Sequence, residues 1–142
     1  MMRVLVVDGN LAIQEILFDI LTMSGQKAGT VGSIDDAEKC LLRFKPEAIF
    51  LDAGLCGDDR SFLDTVDRDL ADCPPKIFML TRDEAQESIE ADGCIRKPFK
   101  STDILEVIST LEGKEKEILV KELIDSLKSP PAPENDDERS IG

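Results

Sequence analysis

The chain has 142 residues, 42% of them hydrophobic, with 17 basic and 30 acidic residues and a formal charge of −13. That length suits one domain with a substantial core and is short for two, while the acidity argues against a nucleic-acid-binding face. Histidine is absent, and Cys40, Cys56, Cys73 and Cys94 lack paired metal spacing, which excludes zinc sites of the Cys/His kind and any triad built on histidine.

The first apolar run, Val4 to Val7, reads as a buried strand ending on Asp8. Asn10 then caps a helix whose stripe is Ile13, Ile16, Leu17, Ile20 and Leu21, and Gly25 closes it. A short strand from Lys27 to Val31 fits an outer position in a sheet. Ser33 begins a second helix, with Ile34, Ala37, Leu41 and Leu42, that must stop before Pro46.

Ala48 to Leu51 forms the next strand and delivers Asp52 into a loop, Ala53-Gly54-Leu55-Cys56-Gly57. A helix with Phe62, Leu63, Val66 and Leu70 on its inner side follows, and Pro74-Pro75 punctuates before a strand from Ile77 that ends on Thr81. An acidic helix, thin in apolar residues, is expected from about Asp83 to Ala91. Cys94-Ile95 is a brief fifth strand leading through Arg96 to Lys97-Pro98. Ser101 or Thr102 caps a helix with Ile104, Leu105, Val107, Ile108 and Leu111.

Beyond Gly113 the pattern predicts an additional C-terminal helix over 114–128, and the Pro-, Glu- and Asp-rich stretch 129–142 reads as a disordered tail. The expected organisation is therefore one domain over 1–112, the extra helix over 113–128 and the tail. Met1-Met2-Arg3 opens without a secretory leader pattern, and no apolar stretch approaches the ~20 residues that span a bilayer. With thiols expected to be reduced, the reading is a soluble, cytoplasmic protein with no membrane or nucleic-acid partner.

Strands alternating with helices predict an α/β fold, a doubly wound five-stranded parallel sheet. Ligands of such sheets bind beyond the carboxyl ends of the strands. Asp8, Asp52, Thr81 and Lys97 each follow or end a strand, so two carboxylates, a hydroxyl and an ammonium are expected on one edge. That set suits a phosphoryl group.

These residues in this order resemble the receiver domain of two-component response regulators, of CheY-like fold and strand order 2-1-3-4-5, over about Arg3 to Leu111. The resemblance implies that Asp52 accepts a phosphoryl group from a histidine kinase or a histidine phosphotransfer protein. It also implies Thr81 on the phosphoryl oxygens, Lys97 against the phosphate, and magnesium held by Asp8, Asp52 and the Gly54 carbonyl. Pro98 is implied to hold the peptide before it in cis.

Three positions depart from the family pattern. Gly9 stands where a second acid normally ligates the metal, which predicts weak or absent magnesium binding. Arg82 follows Thr81 where a small residue is usual; its guanidinium either faces solvent or reaches Asp52 or Asp8. Cys94 replaces the switch aromatic three residues before the Lys, in a chain without Tyr or Trp.

The expected function is a stand-alone phosphoacceptor that signals to a downstream effector protein by altered partner binding, with weak self-dephosphorylation as its only catalysis. The alternative is a pseudo-receiver, an interaction module that works without phosphorylation. The helix over 114–128 is a candidate docking or homodimerisation surface. A haloacid-dehalogenase-type phosphatase fits less well, because position 54 is Gly and not a second Asp. A flavodoxin also fits less well, because Gly9-Asn10-Leu11 offers no hydroxyl-rich phosphate loop.

Overall fold

The computed structural model describes residues 1–56, 59–82 and 91–112. The chain divides into two compact units, Met1–Lys100 and Ser101–Gly142. The expected helix over 114–128 and the tail lie outside the described residues, as does the expected acidic helix apart from Ala91.

In the first unit the elements are β1 (Arg3–Val7), α1 (Leu11–Met23), β2 (Lys27–Val31), α2 (Ile34–Phe44) and β3 (Ala48–Asp52). They continue with α3 (Ala53–Cys56), α4 (Ser61–Asp69), β4 (Lys76–Thr81) and β5 (Gly93–Arg96). The sheet order is β2-β1-β3-β4-β5 with every pairing parallel. This is the expected doubly wound order, with the weakly patterned β2 at one edge.

The strands are unbroken apolar runs because the interior ones are covered on both faces. Leu5, Val7, Ile49, Leu51, Ile77 and Met79 form one buried layer with Ala37 and Leu41 of α2 and Phe62 and Val66 of α4. Alternate strand residues point to the other face, where Phe50 and Phe78 meet edge to face with centroids 5.9 Å apart. Each fully buried aliphatic or aromatic side chain contributes about 1.5–3 kcal/mol, so these two layers, and not surface charge, hold the sheet.

The local punctuation acts as its chemistry requires. The Asn10 side chain accepts from the amides of Ala12 (2.9 Å) and Ile13 (3.2 Å) at the start of α1. At the other end, Gly25 sits at φ 92°, and the Gly25 and Gln26 amides return to the Thr22 and Leu21 carbonyls. That pair of bonds is a Schellman motif, and its left-handed residue is where glycine costs least. Ser33 accepts from the Asp36 amide to begin α2.

Two boundaries differ from the sequence reading, the segment after Asp52 and the start of the helix in the second unit. The loop expected after Asp52 is a single helical turn, α3, because the chain continues straight from the strand into Ala53. At the start of α4 Arg60 makes no side-chain cap, and Asp59 accepts from both the amide and the hydroxyl of Ser61. In the second unit α5 runs Ser101–Glu112, so Ser101 lies inside the helix and neither it nor Thr102 is the cap. Ile104, Leu105 and Ile108 of α5 are buried. No helix among the described residues is long and apolar enough to cross a membrane.

Candidate functional site

The parallel register aligns the strand ends. Val7 pairs with Leu51, so Asp8 stands at the level of Asp52; Asp52 pairs with Leu80, one residue before Thr81; and Thr81 pairs with Arg96, one residue before Lys97. Four residues spread over 90 positions of sequence therefore share one edge of the sheet. The expected convergence is observed.

Lys97 joins the two acids. Its Nζ lies 2.7 Å from Asp8 Oδ2 and 3.4 Å from Asp52 Oδ1. Asp8 is 1% exposed and must have a partner, since an unpaired buried carboxylate is very costly. The Lys97 amide donates to the Thr81 carbonyl (2.7 Å), which fixes the lysine backbone against the end of β4. The Lys97–Pro98 bond is cis, as the resemblance implies.

The remaining oxygens of the acids are used unequally. Asp8 Oδ1 accepts from the Asn10 amide at 2.9 Å, so both of its oxygens are engaged. Asp52 Oδ1 takes the Gly54 amide at 3.2 Å as well as Lys97. Asp52 Oδ2 has no partner among the described residues, and the Asp52 side chain is 21% exposed. One oxygen of the pair is thus open to an incoming electrophile.

Thr81 is the second open group. Its Oγ1 is fully buried and has no hydrogen-bond partner among the described residues. A buried hydroxyl left unmet costs about 1–3 kcal/mol, and such a group in a native fold asks for an explanation. An anionic oxygen from a ligand supplies one.

Arg82 is exposed, and the ammonium between the two acids is that of Lys97. Cys94 lies exposed on β5, with no aromatic ring in its place. Gly9 has an ordinary φ, and a Cβ built on it would meet only Gly32 O at 3.6 Å and a Leu55 methyl at 3.9 Å. The fold has room for a Cβ there.

Asp8, Asp52 and Gly54 come together as the resemblance implies for magnesium, yet the donor set does not fit that ion. Magnesium demands near-octahedral oxygen ligands. Here position 9 supplies no side-chain oxygen, both Asp8 oxygens already accept a bond, and the Asn10 oxygen is committed to its helix cap, which leaves Asp52 Oδ2 and the Gly54 carbonyl beside the Lys97 ammonium. Among the described residues no group of three His, Cys, Asp or Glu could hold a metal.

Sequence reasoning missed Gln14. Its Nε2 donates to the Asp8 carbonyl at 2.6 Å and anchors the backbone of the buried acid from the first turn of α1. Its spacing of six residues from Asp8 is the only sequence signal, and it becomes meaningful once the strand–helix turn is known. Cys56 lies one turn past Asp52. Burial pushes its thiol up, with the charges of Asp52 and Asp59 adding to that, so it stays neutral beside the acids.

No protein-family model and no curated protein matches this sequence. Solved structures do share the fold. The receiver domain of a sensor histidine kinase from Pseudomonas aeruginosa superposes with TM-score 0.67 at 21% identity, over 80% of this chain and 98% of that one. That structure is described with a magnesium ion coordinated in its active-site cleft. A CheY-like receiver domain from Methylobacillus flagellatus gives 0.64 at 23% identity, over 78% and 98%. A chemotaxis response regulator of Vibrio cholerae gives 0.67 at 20%, over 78% and 98%.

Proposed function

Starting from the CheY-like receiver fold that the chain shares with those structures, we propose that it is a phosphoacceptor, with Asp52 carrying the phosphoryl group. The observation that supports this most is the pairing of an open carboxylate oxygen, Asp52 Oδ2, with two donors on the same strand-end edge. One donor, Lys97, is charged, and the other, the Thr81 hydroxyl, is buried without a partner among the described residues.

In the transfer, Asp52 Oδ2 bonds to phosphorus while the phosphorus–nitrogen bond of a phosphohistidine breaks, its electron pair staying on the imidazole. A carboxylate suffices as nucleophile because the leaving group already activates phosphorus. Lys97 draws the charge of the phosphoryl oxygens as a compact point cation, and the Thr81 hydroxyl donates to one of them. Asp8 touches none of the reacting atoms; it positions Lys97. No step is routed through magnesium, because the donor set does not fit it.

On this reading the partners are a histidine kinase or a histidine phosphotransfer protein upstream and an effector protein downstream, all intracellular, and the signal is a change in affinity for the effector. The chain turns over no substrate; slow loss of its own phosphoryl group to water is its only catalysis. The competing reading, a receiver fold that acts without phosphorylation, draws on Gly9, Arg82 and Cys94.

Incubation with acetyl phosphate separates the two. The acceptor reading expects a phosphoryl-sized mass gain in the wild type that disappears in Asp52→Asn. Equal mass for both proteins at every donor concentration would favour the interaction module.

A further inference from the structure

The acid pair of this cleft is compensated from within the chain, and that bears on what the site needs in order to work. Asp8 and Asp52 bring two negative charges, and Lys97 Nζ contacts both, at 2.7 and 3.4 Å. With the lysine in place each Asp8 oxygen already accepts a bond, Oδ2 from Lys97 and Oδ1 from the Asn10 amide. Asp52 Oδ2 and the Gly54 carbonyl are then the oxygens a dication would meet first, and the Lys97 ammonium 3.4 Å from Asp52 opposes its approach.

Gly9 bears on the same point independently. Its backbone needs no glycine, and the space at its Cβ is ordinary. Contacts at the Cβ therefore do not require glycine at position 9, where no acid stands beside Asp8. The donors that remain for an incoming anion are all the chain's own: Lys97 Nζ, the Gly54 amide already aimed at Asp52 Oδ1 (3.2 Å), and the Thr81 hydroxyl.

We propose that Lys97, held by Asp8, serves as the resident cation of this cleft, so that phosphoryl transfer to Asp52 proceeds without a divalent metal ion. The inference rests on the acceptor reading above and specifies its chemistry. With acetyl phosphate as donor, a bond forms between Asp52 Oδ2 and phosphorus, the bond from phosphorus to the acetate oxygen breaks, and acetate leaves with the electron pair. Charge and atoms balance with no added cation.

The test uses the full chain in two measurements. Intact-mass labelling with acetyl phosphate is run in excess EDTA and in millimolar magnesium, and thermal melts are run with magnesium chloride against a matched sodium chloride control. Comparable labelling in both buffers, with no magnesium-specific rise in melting temperature, is the expected result. Gly9→Asp should acquire such a rise. Labelling that requires magnesium, or a magnesium-specific rise in the wild type, overturns the inference while leaving Asp52 as acceptor. Absence of label in both buffers overturns the acceptor reading instead, and the magnesium melt still decides the metal question.

Discussion

The two ends of the sheet handle polar groups in opposite ways. At the amino end polar groups from several elements meet one another. Arg3 Nε donates to the Phe44 and Lys45 carbonyls at 3.1 and 2.8 Å, the Arg3 amide to Glu47, the Met2 amide to Gln26, and the Ile77 amide to Asp92. At the carboxyl end an acid that is 1% exposed depends on one lysine, a second acid keeps an oxygen open, and a buried hydroxyl has no partner among the described residues. One end is built to close the fold. The other holds charge and unmet hydrogen-bonding capacity in reserve, which is where local rules are expected to yield to function.

That contrast can be broken most forcefully at Lys97. Lys97→Met leaves Asp8 buried without a cation, so unfolding in denaturant should show a loss of about 3 kcal/mol. At the opposite end Arg3→Met removes a charge whose side chain is 40% exposed, together with two bonds to carbonyls. There the loss should be about 1 kcal/mol. Equal losses at the two ends would mean that Asp8 and Lys97 are no more than an ordinary surface pair.

Thr81→Val should move stability the other way. Replacing an unmet buried hydroxyl by a methyl removes a desolvation cost, so the variant should gain up to ~1 kcal/mol while labelling of Asp52 falls. A destabilised Thr81→Val would show that the hydroxyl already has a structural partner.

Much of the carboxyl end was legible before any coordinates. Asp8, Asp52, Thr81 and Lys97 could be placed because each follows an apolar run, and parallel strands bring their carboxyl ends to one edge whatever their separation in sequence. Helix ends with a side-chain cap or a glycine, such as Asn10, Ser33 and Gly25, were equally readable, because their signal is local. The sharing of Lys97 between two acids was not, since it depends on the register of four strands and on a side-chain path of several bonds. Gln14 and the Asp92–Ile77 closure escaped for the same reason: each is a contact between elements, with no periodicity to announce it. The turn after Asp52 was misread because Ala53-Gly54-Leu55-Cys56 is too short to display a helical stripe.

The smallest effects concern the thiols. Cys73 and Cys94 are exposed, whereas Cys40 and Cys56 are half-buried with their pKa raised chiefly by burial. Alkylation followed by mass should modify the first two well before the others. A raised thiol pKa also carries a sign for stability. The contribution of Cys40 and Cys56 is present in full below the ordinary thiol value of 9.0 and is lost as pH rises through their higher folded values. Stability should therefore decline on the alkaline side of that value, and Cys56→Ala should soften the decline.

Amide NMR of the chain before and after treatment with acetyl phosphate tests the shared cleft most directly. The account predicts that the Asp8, Asp52, Gly54, Thr81 and Lys97 signals move together, while those of Arg3, Glu47 and Ile77 at the far end stay in place. Movement confined to one strand end, or spread evenly over both ends of the sheet, would contradict it.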